Sequence, residues 1–349
     1  MNQNYFTLFL ILLNFMLISL TALFSLAKFD LFLKQTLFWF IGFILFFSFK
    51  FFDYRLIFER YQSFFIISFS LFLLFIMLFL PGRIKSWINF GPFSFQPSEF
   101  SKLAFFIILA NFLSYYYLEL NKPIYFFLSF FLISPFLILI SLQPDFGMVF
   151  LYLLIWFFTI IFFLSKRTIL ILFVIFLIFS LIFWFFVLKD YQKKRIADFI
   201  FSLKNPLKTE YNLRQIRLSL ATSSFFGKGV GNSEIGKYGF LPSAHTDFIL
   251  TFIIEERGYF GYLLYSFLFF LLIKELVNFF TFNKNHLFKN FIFVCLIYFL
   301  VKFSLTSLIN FGAFPIIGLP VPFLSYGGSH LIFDMWLLGI LISISKEKV

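Results

Sequence analysis

The 349-residue sequence is poor in cysteine and in charged side chains. Its one cysteine, Cys295, lies inside an apolar run, which excludes an intramolecular disulfide and a metal cluster built on cysteines. Only 13% of the residues are charged, and the apolar residues fall in runs of about 20, the length that crosses a hydrocarbon core of roughly 30 Å. The first run, 5–26, lacks a basic leader and a small-residue cleavage site, so we expect a retained span and not a signal peptide. These features predict an all-α, polytopic integral membrane protein.

The apolar runs predict ten spans in a single transmembrane domain, 1–349. The spans cover 5–26, 35–52, 63–80, 98–116, 124–142, 147–164, 169–188, 247–273, 287–310 and 330–345. An even number of spans places both termini on one side. The short segments on that side, together with the terminal turns of the adjoining spans, hold 11 Lys and Arg residues against 4 on the other side. Basic residues favour the cytoplasmic side. We therefore expect a multi-pass protein of the cytoplasmic (inner) membrane with both termini in the cytoplasm.

The longest polar connection, 189–246, is predicted to be a large extracytoplasmic loop between the seventh and eighth spans. It carries 10 Lys and Arg residues and 4 acids, a net charge of +6. Apolar periodicity in RIADFIFSL and YNLRQIRLSLATSSFF predicts amphipathic helices on the outer leaflet, and GKGVGNSEIGKYG predicts turns. A loop of this charge either touches anionic lipid headgroups or binds an anionic ligand.

Polar residues interrupt the apolar pattern in four clusters, which the span count places on the outer side. In GPFSFQPSEFSKLA, Glu99 and Lys102 share one helical face. They form either an ion pair that lets two charges enter the membrane, or a site where Glu99 holds an exposed Lys102 toward an anion. In SLQPDFG, Asp145 is predicted to cap the sixth span. In GLPVPFLSYGGSHLI, the backbone N–H groups of Gly327 and Gly328 are candidates for binding an anion.

The fourth cluster, in LPSAHTDFILTFIIEERGYFG, joins the 189–246 loop, here named the polar loop, to the eighth span. Asp247 lies there between water and low dielectric, where a carboxylate acts as a general base, binds a divalent cation or caps the helix. Glu255 and Glu256 lie about 12 Å deeper at 1.5 Å per residue. We expect them to form structural pairs, with Arg257 as the nearby cation.

Five ordered motifs, FQPSEFSKLA, QPDFG, FFGKGVGNS, LPSAHTDFI…EERGYFG and PVPFLSYGGS, resemble the shape, elongation, division and sporulation (SEDS) proteins. The resemblance extends from about the second span to the end of the chain. It implies a peptidoglycan glycosyltransferase that polymerises lipid II beside a class B penicillin-binding protein. It also implies that Asp247 is the catalytic residue and that Glu99 and Lys102 are functionally important. GPFSFQPSEF and Ala244 favour the FtsW branch of the family over the RodA branch.

We expect the substrate-binding residues to surround Asp247. They are Glu99, Lys102, Arg195, Gln215, Lys228, Lys237, His245, Ser325, Gly327 and Gly328. The mechanism predicted is inverting glycosyl transfer, in which Asp247 takes the proton of the acceptor sugar hydroxyl or positions Mg²⁺ or Mn²⁺, while cations stabilise the departing pyrophosphate.

The expected partners are lipid II, membrane lipids and a class B penicillin-binding protein, with no nucleic acid. The alternative function is a lipid II flippase. Transporters usually place charged sites near the midplane and contain internal repeats, whereas this sequence has no convincing repeat and its polar clusters gather on one face. This pattern favours chemistry at the surface over transport.

Overall fold

The computed structural model describes residues 3–26, 28–49, 51, 53–80, 86–90, 93–174, 193, 197, 200 and 211–345. Arg195, the RIADFIFSL segment apart from positions 197 and 200, and most of the predicted seventh span lie outside the described residues. Almost all of the described secondary structure is helical. The exception is a short antiparallel hairpin of β1 (Ile88–Phe90) and β2 (Phe93–Phe95).

The helices follow the apolar runs of the sequence. They are α1 (Gln3–Ser25), α2 (Phe29–Ser48), α3 (Arg55–Phe58), α4 (Arg60–Ile76), α5 (Pro97–Tyr116), α6 (Pro123–Leu142), α7 (Phe146–Ile161), α8 (Tyr211–Thr222), α9 (Glu234–Tyr238), α10 (Ile249–Phe282), α11 (His286–Asn310) and α12 (Gly328–Ile344). Short 3₁₀ turns, Met77–Phe79 and Tyr117–Glu119, extend α4 and α5. Residues 166–174 are also helical.

Seven of these helices are long and apolar enough to cross a membrane: α1, α2, α4, α5, α6, α10 and α11. The shorter helices α7 and α12 are also apolar. Nine of the ten predicted spans thus coincide with a helix in the described part of the chain, and the helical, polytopic fold is confirmed. The total of ten stays a prediction, because 175–188 lies outside the described residues.

Local sequence signals explain several helix ends. Pro97 and Pro123 open α5 and α6, where the missing N–H of proline costs no helical hydrogen bond. Asp145 caps α7 as predicted, because its Oδ1 accepts a 3.2 Å hydrogen bond from the N–H of Met148. Asn285 caps α11 in the same way, with a 2.9 Å bond to its Oδ1 from the N–H of Leu287.

Both ends of the helical domain lie at one face. The Tyr5 hydroxyl, near the start of α1, is 3.4 Å from the Ser343 hydroxyl, near the end of α12. At the opposite face, the Ser19 hydroxyl donates to the carbonyl oxygen of Leu324, in the loop before α12. The described termini therefore share a side, as an even number of spans requires. That this side is cytoplasmic stays a prediction.

The helix α10 differs from the predicted span, 247–273. It runs to Phe282 and is interrupted at Gly258, whose φ of 71° and ψ of −173° are not helical. A Cβ on Gly258 would lie 2.1 Å from the carbonyl oxygen of Phe225. Only glycine combines this backbone conformation with so close an approach of a second chain segment.

The segment 225–229 supplies the hydrogen bonds that the break removes. In a continuous helix, the carbonyl oxygens of Glu255 and Glu256 would accept from the residues four positions later. Here they accept 2.9 Å bonds from the N–H groups of Lys228 and Gly229. The N–H of Phe260 donates in turn to the 225 carbonyl at 3.0 Å. The polar loop is therefore part of the helical domain's backbone hydrogen bonding.

Candidate active site

The four polar clusters meet at the face opposite the termini. The Ser325 hydroxyl donates a 2.6 Å hydrogen bond to the carbonyl oxygen of Thr246, and the N–H of Tyr326 donates a 2.8 Å bond to that of His245. These bonds join the loop before α12 to the residues that precede Asp247. The third and fourth clusters thus form one unit.

Gln96 connects the other two clusters to this unit. Its side-chain N–H donates a 2.6 Å bond to Asp145 Oδ2, and its backbone N–H donates to the Ser329 hydroxyl at 3.1 Å. The sequence predicted that the clusters share a side of the membrane. The structure adds that they are in contact.

Glycines bring the start of α7 close to Asp247. A Cβ on Gly147 would lie 2.6 Å from the carbonyl oxygen of Gly318, so this contact requires glycine. On its other side, Gly318 faces Asp247, because a Cβ placed on it would lie 3.5 Å from Asp247 Oδ2. The close approach explains why Asp145, two residues before Gly147, acts electrostatically on Asp247.

The main chain of Asp247 is fixed while its carboxylate is not. Its carbonyl oxygen accepts a 2.9 Å bond from the side chain of Asn310, which also accepts from the N–H of Thr251 at 3.0 Å. The N-cap of α10 is Phe248, without a side-chain cap, so the capping interpretation of Asp247 is wrong. Among the described residues, none donates a hydrogen bond to the partly buried Asp247 carboxylate. The group is positioned and available for a ligand.

Burial raises the pKa of Asp247 to about 6, and the negative charge of Asp145 adds to the increase. The pKa of Asp145 is also raised to about 6, mainly by burial, although hydrogen bonds from Met148 and Gln96 oppose the increase. Each carboxylate is therefore a stronger base than an ordinary aspartate. A group of this pKa is suited to general base chemistry near neutral pH.

His245 is a neutral imidazole at neutral pH. Its Nδ1 lies 3.2 Å from the ammonium group of Lys28. Burial and then this positive charge lower its pKa to about 4. His245 is thus a candidate for hydrogen bonding with a substrate and not for ion pairing.

Below the cluster of Gln96 and Asp145 lies a group of buried charges, here named the buried quartet: Glu99, Lys102, Lys302 and Asp334. Their side chains are 0 to 1% exposed. Lys102 pairs with Glu99 at 2.5 Å and Lys302 with Asp334 at 2.8 Å, and the Tyr298 hydroxyl accepts from Lys102 at 2.7 Å and donates to Asp334 at 2.5 Å. The expectation of an exposed Lys102 is wrong, and the ion-pair alternative is the one formed. Sequence analysis missed Lys302 and Asp334, although a charge inside an apolar run is a signal of function or pairing.

The glutamates of α10 organise the polar loop. Glu255 accepts from Lys228 at 2.9 Å and from the Ser233 hydroxyl at 2.5 Å. Glu256 accepts from the N–H of Gly231 at 2.6 Å and from the Ser25 hydroxyl at 3.0 Å. Structural pairing is thus found, but the cation that bonds to Glu255 comes from the loop.

Arg257 lies 3.7 Å from Glu256 and donates a 2.6 Å hydrogen bond to the Thr21 hydroxyl. Lys228, which we expected to bind substrate, also pairs with Glu234 at 3.0 Å. The Lys228 ammonium group therefore forms ion pairs with two carboxylates, those of Glu234 and Glu255.

The remaining predicted site residues differ in their access to a ligand. Ser325 is buried and bonded on both sides, since it also accepts from the N–H of Val321 at 2.7 Å. The N–H of Gly327 donates to Gln35 Oε1 at 3.1 Å, so it does not face an anion. Gly328 opens α12 against Phe38.

Gln215 and Lys237 lie on the polar loop and are more accessible. Gln215 is partly exposed on α8, and the exposed Lys237 donates to Asn232 at 3.2 Å. The roles of all these residues toward a substrate stay predictions.

Comparison with known proteins identifies the family to which the chain belongs. The sequence profile of the family described as "Cell cycle protein", which comprises FtsW, RodA and SpoVE, matches residues 2–349. The chain belongs to this FtsW/RodA/SpoVE family. The recognition of a SEDS protein from its motifs is thus confirmed.

Two relatives that are named as peptidoglycan glycosyltransferases resemble the chain. The probable peptidoglycan glycosyltransferase FtsW of Buchnera aphidicola subsp. Schizaphis graminum is 34% identical over 303 residues, 81% of this chain and 81% of the relative. The peptidoglycan glycosyltransferase MrdB of Escherichia coli K12 is 30% identical over 271 residues, 76% of this chain and 71% of the relative.

Solved structures of the FtsW/RodA/SpoVE family share the fold. A chain from a study of polymerization and crosslinking by a peptidoglycan synthase complex superposes with a TM-score of 0.83 at 23% identity, covering 99% of this chain and 98% of that one. The rod shape determining protein RodA of Thermus thermophilus gives 0.70 at 21% identity, covering 98% and 96%.

Proposed function

We propose that this chain is a peptidoglycan glycosyltransferase that polymerises lipid II at the outer face of the cytoplasmic membrane. Family membership and relatives named for this activity support the reaction class. The observation that supports Asp247 as the catalytic residue is the environment of its side chain. Its main chain is held by Asn310, and its partly buried carboxylate has a raised pKa and lies where the four polar clusters meet.

In this proposal, the reacting bond of lipid II lies beside Asp247. The lipid tail would lie beside the apolar helices, and the pyrophosphate and first sugar would lie at the interface near Asp247. There, Asp247 takes the proton of the acceptor hydroxyl as that oxygen bonds to the donor's anomeric carbon. The bond from this carbon to the pyrophosphate breaks, with inversion. Exposed cations of the polar loop, including Lys237, stabilise the negative charge that develops on the departing pyrophosphate.

The alternative role that we propose for Asp247 is to hold a divalent cation together with Asp145. Asp145 and Asp247 are neighbouring carboxylates, the ligand type that Mg²⁺ and Mn²⁺ prefer. No group of three or more His, Cys, Asp or Glu side chains in the described chain could hold a metal. The two carboxylates would share the ion with oxygens of water and substrate, as is usual for Mg²⁺. The ion would supply positive charge to the leaving pyrophosphate.

The partner would be a class B penicillin-binding protein, which crosslinks the glycan that this chain makes. The solved complex with the same fold supports such an arrangement, because its description joins polymerization to crosslinking. The excess of Lys and Arg on the side of the termini supports a cytoplasmic location for both ends.

The flippase alternative is less well supported by the geometry. The buried quartet is internally neutralised, and the break at Gly258 has its backbone groups bonded by the segment 225–229. Transporters use such charges and breaks to coordinate substrate. In the described residues, the charges of the quartet and the backbone groups at the break are instead bonded to other groups of the protein.

The test replaces Asp247 with Asn and measures glycan formation from purified lipid II, with the transpeptidase of the partner blocked. Asn keeps the size of the side chain but cannot take a proton. Loss of a positioned base costs a factor of about 10² to 10⁴ in rate, so we expect almost no polymer from a folded, membrane-resident protein. Asp30→Asn, an exposed substitution at the same face, is the matched control and should be near wild type. Polymerisation by Asp247→Asn close to the wild-type rate would remove Asp247 from the catalytic role.

A further inference from the structure

A cavity of about 320 Å³ lies at the face of the domain opposite Asp247. It is bounded by the ends of α5, α7 and α10 and by the start of α11. The far end of α11, at Asn310, bonds to the main chain of Asp247. A helix of 25 residues is roughly 37 Å long at 1.5 Å per residue. The cavity is therefore about one membrane thickness away from the candidate active site.

Aromatic rings form the apolar wall of this cavity. The ring centroid of Phe293 lies 5.4 Å from that of Phe162, 5.6 Å from that of Phe163 and 5.8 Å from that of Phe280. Tyr117 extends the wall, with its centroid 6.4 Å from that of Phe163. The wall offers a surface for an acyl chain at the depth where a membrane interface is expected.

The first turn of α11 gives the cavity a polar, cationic edge. Lys289 is partly buried, with Nζ 4.9 Å from the centroid of the Phe280 ring, and His286 is exposed beside it. The remaining polar lining residue, Asn290, donates to the Ser114 hydroxyl at 3.2 Å. No carboxylate within the described ranges pairs with Lys289 or His286, and the nearby Glu119 is paired with Lys122. The edge thus carries positive charge without a protein counter-ion in the described chain.

We propose that this cavity binds the headgroup of an anionic phospholipid. The phosphate lies against Lys289 and His286, and an acyl chain follows the wall of Phe162, Phe163 and Phe293. The charge of Lys289 disfavours a cationic ligand such as a quaternary ammonium group, which aromatic cages otherwise accept. Basic pockets between membrane helices are suited to anionic headgroups. The site is distinct from the active site and does not depend on the proposed reaction.

The experiment titrates phosphatidylglycerol or phosphatidylcholine into the purified, detergent-solubilised full chain and counts bound lipids by native mass spectrometry. We expect the wild type to bind phosphatidylglycerol more tightly than phosphatidylcholine. Lys289→Gln should weaken phosphatidylglycerol binding at least fivefold, which is the loss expected for one lysine at an anionic headgroup. Lys166→Gln, an exposed lysine outside the cavity, should change it less than twofold. Lys289→Arg should retain binding.

Three results would overturn the proposal. The first is an equal loss in the Lys289→Gln and Lys166→Gln variants, which would mean diffuse attraction to basic residues. The second is equal binding of the two lipids by the wild type. The third is displacement of phosphatidylglycerol by millimolar inorganic phosphate, which would identify a phosphate site without a lipid component. If Lys289→Gln does not fold, Phe293→Ser at the apolar wall replaces it, with the same fivefold criterion for phosphatidylglycerol.

Discussion

At the scale of single residues, the proposed chemistry depends on the neighbouring carboxylates Asp145 and Asp247. Each has a pKa raised to about 6 by burial, and the charge of Asp145 acts on Asp247. Only the ionised form of Asp247 accepts a proton. With a pKa of about 6, only about a tenth of Asp247 is ionised at pH 5, whereas an ordinary aspartate would be almost fully ionised.

The polymerisation rate should therefore fall as the pH is lowered through about 6. Asp145→Asn removes the neighbouring negative charge, so it should lower the pKa of Asp247 and move this acid limb to lower pH. Asn still has an oxygen that can cap α7. The measurement is the pH profile of lipid II polymerisation for wild type, Asp145→Asn and the control Asp30→Asn. An acid limb at the same pH in all three would contradict the coupling of the two carboxylates.

At the scale of elements, the break in α10 was beyond sequence analysis. The apolar run predicted one continuous span, and the helix type and approximate start were correct. The hydrogen bonds that make the break possible come from Lys228 and Gly229, about 30 positions earlier in the chain. Periodicity depends only on residues that are close in sequence, so it cannot reveal a conformation that a distant segment stabilises. The pairing of Glu255 with Lys228 escaped prediction for the same reason.

Gly258→Ala should destabilise the protein far more than a glycine replacement that only strains the backbone. At Gly258 a Cβ would meet the Phe225 carbonyl at 2.1 Å, so the 225–229 segment must separate from α10. Gly239, with φ of 64° and no atom within 4 Å of its Cβ position, is the matched control, where alanine costs about 1 to 2 kcal/mol. We expect at least a threefold larger drop in Tm for Gly258→Ala, with faster proteolysis of the polar loop. Similar drops in Tm in both variants would show that the contact between the 225–229 segment and α10 contributes little to stability.

At the scale of the whole molecule, hydropathy predicted which segments form membrane-spanning helices. The reason is that an apolar run of about 20 residues is long enough to cross the hydrocarbon core of a bilayer. The convergence of the four polar clusters on one side followed from counting spans. The buried quartet did not follow from the span count, because its four residues belong to three helices: α5, α11 and α12. Sequence analysis could flag each charge as unusual, but it could not pair Lys102 with Tyr298, which is 196 positions away.

The predicted sidedness can be read with cysteine labels, because Cys295 is fully buried and should give little background. Lys237→Cys, in the polar loop, should react with a membrane-impermeant maleimide in intact cells. Lys166→Cys, after α7, should react only once the membrane is opened. Both positions are exposed in the structure. The reverse pattern would invert the topology and place Asp247 in the cytoplasm.

The bonding between α10 and the polar loop also determines the order in which the protein can be made. The segment 225–236 leaves the ribosome before Glu255, Glu256 and Gly258, which hold it in place. Until those residues arrive, its turns lack these partners. Without the segment, Glu255 and Glu256 would enter the bilayer unpaired at a cost of a few kcal/mol each. Insertion of the helix and folding of the loop therefore stabilise each other. During synthesis, the polar loop therefore completes these hydrogen bonds only after α10 has been made.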